Sequence, residues 1–96
     1  MNPPIQFKFR LYVAGDALNS HLAVANLKNF CREQLPARHD FEIIDVLRHP
    51  KRALEEGILM TPTLVKYAPA PSCRIVGTLS QPQIMLQALG LEAVAL

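Results

Sequence analysis

The side chains that could do chemistry are few: two cysteines, three histidines and a short basic run. Cys31 and Cys73 lie far apart and form no Cys-x-x-Cys pair, so the dithiol of a disulfide exchanger is absent. Each cysteine reads as a small buried hydrophobe. His21, His39 and His49 show no metal-ligand spacing with one another or with a cysteine. Ser20 and His21 are sequence neighbours, and adjacent positions of a helix face different sides, so they are no nucleophile–base pair. A Gly-rich phosphate loop is also missing. These residues predict no enzyme, no metal and no cofactor.

The densest charge is basic: Arg48, His49, Lys51 and Arg52. A helix that starts at Pro50 would put these cations at its positive end, where the dipole does not favour them. They are either a solvated helix start or a surface for an acidic partner. Lys66 and Arg74 flank a proline-rich connection, Ala68-Pro69-Ala70-Pro71-Ser72. They could meet acids on a partner or protect an edge strand from aggregation.

The elements that position these residues follow from hydrophobic spacing. Ile5, Phe7, Phe9, Leu11 and Val13 alternate with Gln6, Lys8, Arg10 and Tyr12, which predicts a strand with one buried face. Gly15-Asp16 breaks it. Asn19 or Ser20 is a candidate cap for a helix that gathers Ala23, Leu27, Phe30 and Cys31 on one side and closes at Pro36. Phe41 to Leu47 is nearly continuous in apolar residues and predicts a strand covered on both faces. A short helix is expected from Pro50 to about Glu56, stopped by Gly57. Leu64–Tyr67 and Cys73–Gly77 predict a hairpin. Ser80 is a candidate cap for a last helix carrying Ile84, Met85, Ala88 and Leu89, with Gly90 as its stop.

The order β-α-β-α-β-β-α predicts an α/β, thioredoxin-like domain spanning residues 1–96, its first two strands parallel and its last two antiparallel. Pro62, in Thr61-Pro62-Thr63, precedes the third strand. Its spacing fits either a cis proline of such a sheet or an ordinary trans proline at a strand start. A chain of 96 residues suits one domain with a modest core. Its net charge of +2 is too small for a nucleic-acid face. No apolar run is long enough for a membrane span, and Met1-Asn2-Pro3-Pro4 lacks a signal-peptide layout, so a cytoplasmic protein is expected.

Several motifs taken in order resemble the KaiB clock-protein family. They are Leu11-Tyr12-Val13-Ala14-Gly15, Ile44-Asp45-Val46-Leu47, Pro50, Thr61-Pro62-Thr63-Leu64, Lys66, Pro69, Pro71, Arg74-Ile75 and Gly77-x-Leu79-Ser80. The resemblance spans residues 7–90. It implies a non-enzymatic adaptor that binds a KaiC-type ATPase ring and modulates its phosphorylation or output, in a circadian or stress-related setting. The alternative it implies is a KaiB-like sensor module that binds a histidine kinase. A KaiA-like partner is also implied, and so is self-association as monomer, dimer or tetramer. Lys66, Arg74, Lys51 and Arg48 are the implied partner contacts. Pro62, Pro69 and Pro71 are the implied fold-switch positions.

Family members exchange the thioredoxin-like fold for a ground state with a rearranged C-terminal half. Such exchange needs two packings within a few kcal/mol of each other. Here Ala88 stands where relatives often have glycine, and alanine favours a helix interior over glycine by about 0.8–1 kcal/mol. With Gly90 as a stop, a C-terminal helix and hence the thioredoxin-like form is expected. The family pattern is broken at Leu22, Cys73 and Thr78, where a basic, a basic and an acidic residue are usual.

Overall fold

The computed structural model describes residues 5–91. Among them seven elements follow one another: β1 (Phe7–Val13), α1 (Leu18–Gln34), β2 (His39–Asp45), α2 (Pro50–Glu56), β3 (Thr63–Ala68), β4 (Cys73–Val76) and α3 (Pro82–Ala88). The strands form one sheet in the order β2-β1-β3-β4. β1 pairs in parallel with β2, while β3 pairs antiparallel with both β1 and β4. This is the expected thioredoxin-like arrangement. The C-terminal half carries the β-hairpin and α3, so this structure is not the rearranged ground state.

The period-two pattern of β1 sends Phe7, Phe9, Leu11 and Val13 to one face, where they pack with Ala23, Leu27, Phe30, Cys31 and Leu35 of α1 and its end. Leu64, Leu79, Met85 and Leu89 complete that core. Phe9, Leu11 and Leu27 are fully buried, each worth about 1.5–3 kcal/mol of transfer free energy. Tyr12, assigned by alternation to the polar side, is buried as well. It belongs to a second, smaller core with Ile44, Ala53 and Val65 beneath α2. α2 covers that end of the sheet's second face, so Tyr12 is buried there while Lys8 and Arg10 on the same side of β1 stay exposed or half-buried.

Three local expectations change. β2 lies at the sheet edge, and among its residues only Ile44 is buried, so its apolar run is not covered on both faces. It also begins earlier, at His39, drawn by parallel pairing with Phe7. The helix caps differ too. α1 starts at Leu18 behind Ala17, and Ser20 is its third residue, within the first turn. The Ser20 hydroxyl accepts the Ala14 N–H at 3.0 Å, tying the helix back to the end of β1 instead of capping its own amides. α3 starts at Pro82 behind Gln81, so Ser80 is not its cap.

The glycine stops agree with expectation. Gly57 ends α2 at φ 70° and Gly90 follows α3 at φ 72°, both left-handed conformations.

Candidate partner-docking surface

α2 positions most of the candidate contacts. Pro50 occupies its first turn and Ala53 turns inward to the smaller core. Lys51 and Leu54, one turn apart, share the outward side, and Leu54 is 79% exposed. Arg48, just before the helix, is solvated and lies 3.9 Å from the Asp45 carboxylate. Arg52 is taken by Glu42 of β2 through two hydrogen bonds of 2.7 and 2.9 Å. That donation holds the Glu42 carboxyl below its usual range and raises the Arg52 guanidinium. Of the four basic residues in the run, Arg52 is therefore neutralised within the chain.

Arg74 meets the opposite end of α2. It donates to the main-chain carbonyls of Glu56 and Gly57, the latter at 3.2 Å, and sits 3.9 Å from the Glu56 carboxylate. Helix-end carbonyls lack internal partners, so an arginine is well placed there. Glu56 also pairs with Arg10 of β1 at 3.4 Å, and the Arg10 guanidinium lies 4.3 Å from the centre of the Tyr67 ring. Burial, then the nearby Glu56 charge, push the Tyr12 hydroxyl above its ordinary value.

Lys66 goes elsewhere. The strand registers place it opposite Phe9 and Cys73, on the side of the sheet covered by α1 and α3. It is only 4% exposed, and its ammonium lies 5.9 Å from the centre of the Phe7 ring. Among the described residues it has no ion pair. Arg74 is opposite Val65 and faces α2. The structure thus gathers Arg48, Lys51 and Arg74 around α2 and leaves Lys66 on the other face. The Thr61–Pro62, Ala68–Pro69 and Ala70–Pro71 peptide bonds are all cis.

Two features escaped the sequence reading. Asp45 Oδ1 accepts the N–H groups of Gly15 at 3.1 Å and Leu47 at 2.9 Å, joining the loops after β1 and β2. Those bonds, the one from Leu47 first, lower its carboxyl below the ordinary range. An apolar groove of about 370 Å³ lies beside α2, lined by Val46, Pro50, Leu54, Ile58, Leu59 and Met60 among others. Leu59 and Met60 are 95% and 62% exposed. Adjacent apolar residues in a loop were the one available signal.

Redox and metal chemistry gain no support from the geometry. Cys31 is fully buried, and burial pushes its thiol up to about 11. The turn after β1, where a thioredoxin keeps its thiol pair, runs Ala14-Gly15-Asp16-Ala17. No group of three or more His, Cys, Asp or Glu side chains poised for a metal occurs among the described residues. No helix among them is long and apolar enough to cross a membrane.

The chain thus has a thioredoxin-like sheet whose turn after β1 carries no cysteine. Solved structures agree on the fold. The N-terminal domain of Synechococcus elongatus SasA superposes with a TM-score of 0.74 at 19% identity, over 100% of this chain and 94% of that one. Chloroplastic thioredoxin z gives 0.74 at 24% identity, over 90% of this chain and 78% of that one. The KaiB domain model matches residues 10–91, and the chain belongs to the KaiB family. The circadian clock protein KaiB3 of Synechocystis sp. is 46% identical over 88% of this chain and 81% of that protein. The circadian clock oscillator protein KaiB of Synechococcus elongatus is 41% identical over 95% and 89%.

Proposed function

We propose that this chain is a non-enzymatic clock-type regulator that docks on a KaiC-type ATPase ring and modulates its phosphorylation or signalling output. The observation that carries this reading is the match to the KaiB domain over nearly the whole described chain, on a thioredoxin-like frame whose β1 turn lacks thiols. Lys51 and Arg48 supply solvated cations at one end of α2, and Arg74 supplies a half-exposed one at the other. Such charges steer association and fix register more than they add affinity. Lys66, buried and without an acid partner among the described residues, gains one if an acidic side chain of the ring reaches it. The fold-switch role of Pro62, Pro69 and Pro71 belongs to the same proposal and is supported by the family resemblance alone.

The test is co-elution. The protein is mixed with a KaiC-type ATPase from the same genome and ATP, held for hours, and run on size-exclusion chromatography with light scattering. A ring carrying several small subunits is the expected result. Separate peaks would overturn the reading and favour a different signalling partner, such as a histidine kinase.

A further inference from the structure

The antiparallel pairing of β3 with β4 sets Cys73 directly opposite Lys66, on the side of the sheet away from α2. Directly opposed residues point to the same face, with Cβ atoms about 4.5–5.5 Å apart. The lysine side chain is longer than that gap, so its ammonium and the Cys73 sulfur share one corner of the sheet.

Each group is available for the other's ligand. Lys66 is 4% exposed, and among the described residues its ammonium has no acid partner, only the Phe7 ring with its centre 5.9 Å away. A buried cation without a counter-charge costs free energy that an incoming anion recovers. Arg38 brings a second cation to the same ring: its guanidinium carbon is 5.7 Å from the Phe7 centre, and its Nε donates to the Ile5 carbonyl at 3.3 Å. Cys73 is a free thiol, partly exposed at the start of the open edge strand. The second thiol does not compete. Cys31 is fully buried and pushed up to about 11, whereas the thiolate is the attacking form.

A small disulfide that carries carboxylates presents sulfur to Cys73 and charge to Lys66. We infer that Cys73 is a site of reversible S-thiolation by small carboxylate-bearing disulfides such as glutathione disulfide, with Lys66 as the positioning residue that receives the carboxylate. In the step, the Cys73 thiol gives its proton to solvent and its sulfur attacks one sulfur of the disulfide. A new S–S bond forms to Cys73, the original S–S bond breaks, and its electron pair leaves with the second half as a thiolate. The protein sulfur is oxidised, the released half is reduced, and excess free thiol runs the exchange backwards. The inference stands apart from the adaptor reading, since the modification needs no ring.

The test follows the reduced full chain with two aromatic disulfides, the dicarboxylate dithiobis-nitrobenzoate and the uncharged dithiodipyridine, and reads the ratio of their rates. One thiol should react in the folded chain, and Cys73→Ser should abolish that reaction. Lys66→Met, with its fold checked by circular dichroism, should lower the ratio by about threefold or more, and added salt should lower it in the parent. Arg74→Gln removes a cation from the opposite face and should change the ratio less. Incubation with glutathione disulfide should then give a single adduct, mapped to Cys73 by peptide mass spectrometry and released by dithiothreitol. A ratio unmoved by Lys66→Met, or moved equally by Arg74→Gln, would overturn the role of Lys66. So would a parent ratio insensitive to salt, a result that does not depend on any variant folding. An adduct on Cys31, or none on Cys73, would overturn the site itself.

Discussion

Arg74 is bonded to Glu56 twice over: its guanidinium donates to the Glu56 main-chain carbonyl and lies 3.9 Å from the Glu56 carboxylate. A residue expected to reach outward to a partner thus also closes the end of α2 and joins β4 to it. Its two roles are separable by measurement. Arg74→Ala should cost about 1 kcal/mol of stability, the net value of such bonds at a half-solvated site, seen as a lowered denaturant midpoint. Glu56→Gln should leave Arg74 its carbonyl partners and cost less. If Arg74→Ala leaves the midpoint unchanged, the clasp contributes nothing to folding.

Lys66 should behave in the opposite way. It is nearly buried, and within the described residues no acid offsets its charge. Lys66→Met keeps the length and removes the desolvation cost, so thermal stability should stay level or rise by about 1 kcal/mol. Binding to an acidic partner should weaken in the same variant. A clear loss of stability in a thermal melt would show that the ammonium is satisfied in the folded chain.

Asp45 gives the fold a defined response to acid. Its carboxyl is lowered by the Leu47 and Gly15 amides, with Arg48 and His49 adding to the effect, so the folded chain binds that proton less readily than the unfolded one. The stability it contributes is present above its ordinary value of 3.8 and is lost as pH falls through the lower folded value. Asp45→Asn keeps an oxygen acceptor but does not titrate. The difference in melting temperature between parent and Asp45→Asn should therefore shrink below that pH. A constant difference across the acid range would refute the assignment.

The two cysteines should separate by reactivity. Cys31 is buried with its thiol pushed up to about 11, whereas Cys73 is partly exposed at the start of the edge strand β4. The thiolate is the reacting form, so iodoacetamide at neutral pH should label Cys73 first, with Cys31 modified only on unfolding. Mass spectrometry of timed digests reads this directly, and equal labelling would mean that the α1 core opens readily.

The sequence by itself determined the local units and the chemistry they lack. Alternation marked β1, Pro50 and Gly57 bounded α2 to the residue, and the turn after β1 held no thiol. These are short-range signals, written in the period of side chains and in backbone positions that glycine and proline favour. Tertiary structure decided where those units lie and which way they face. Strand order placed the apolar β2 at an edge and buried Tyr12 under α2. Hairpin register set Lys66 opposite Cys73, and so sent Lys66 and Arg74 to opposite faces of the sheet. The groove exists only because the loop after α2 returns to Val46. Pairings between distant segments leave no mark in local spacing, and a one-residue slip in any of them would turn each side chain to the other face.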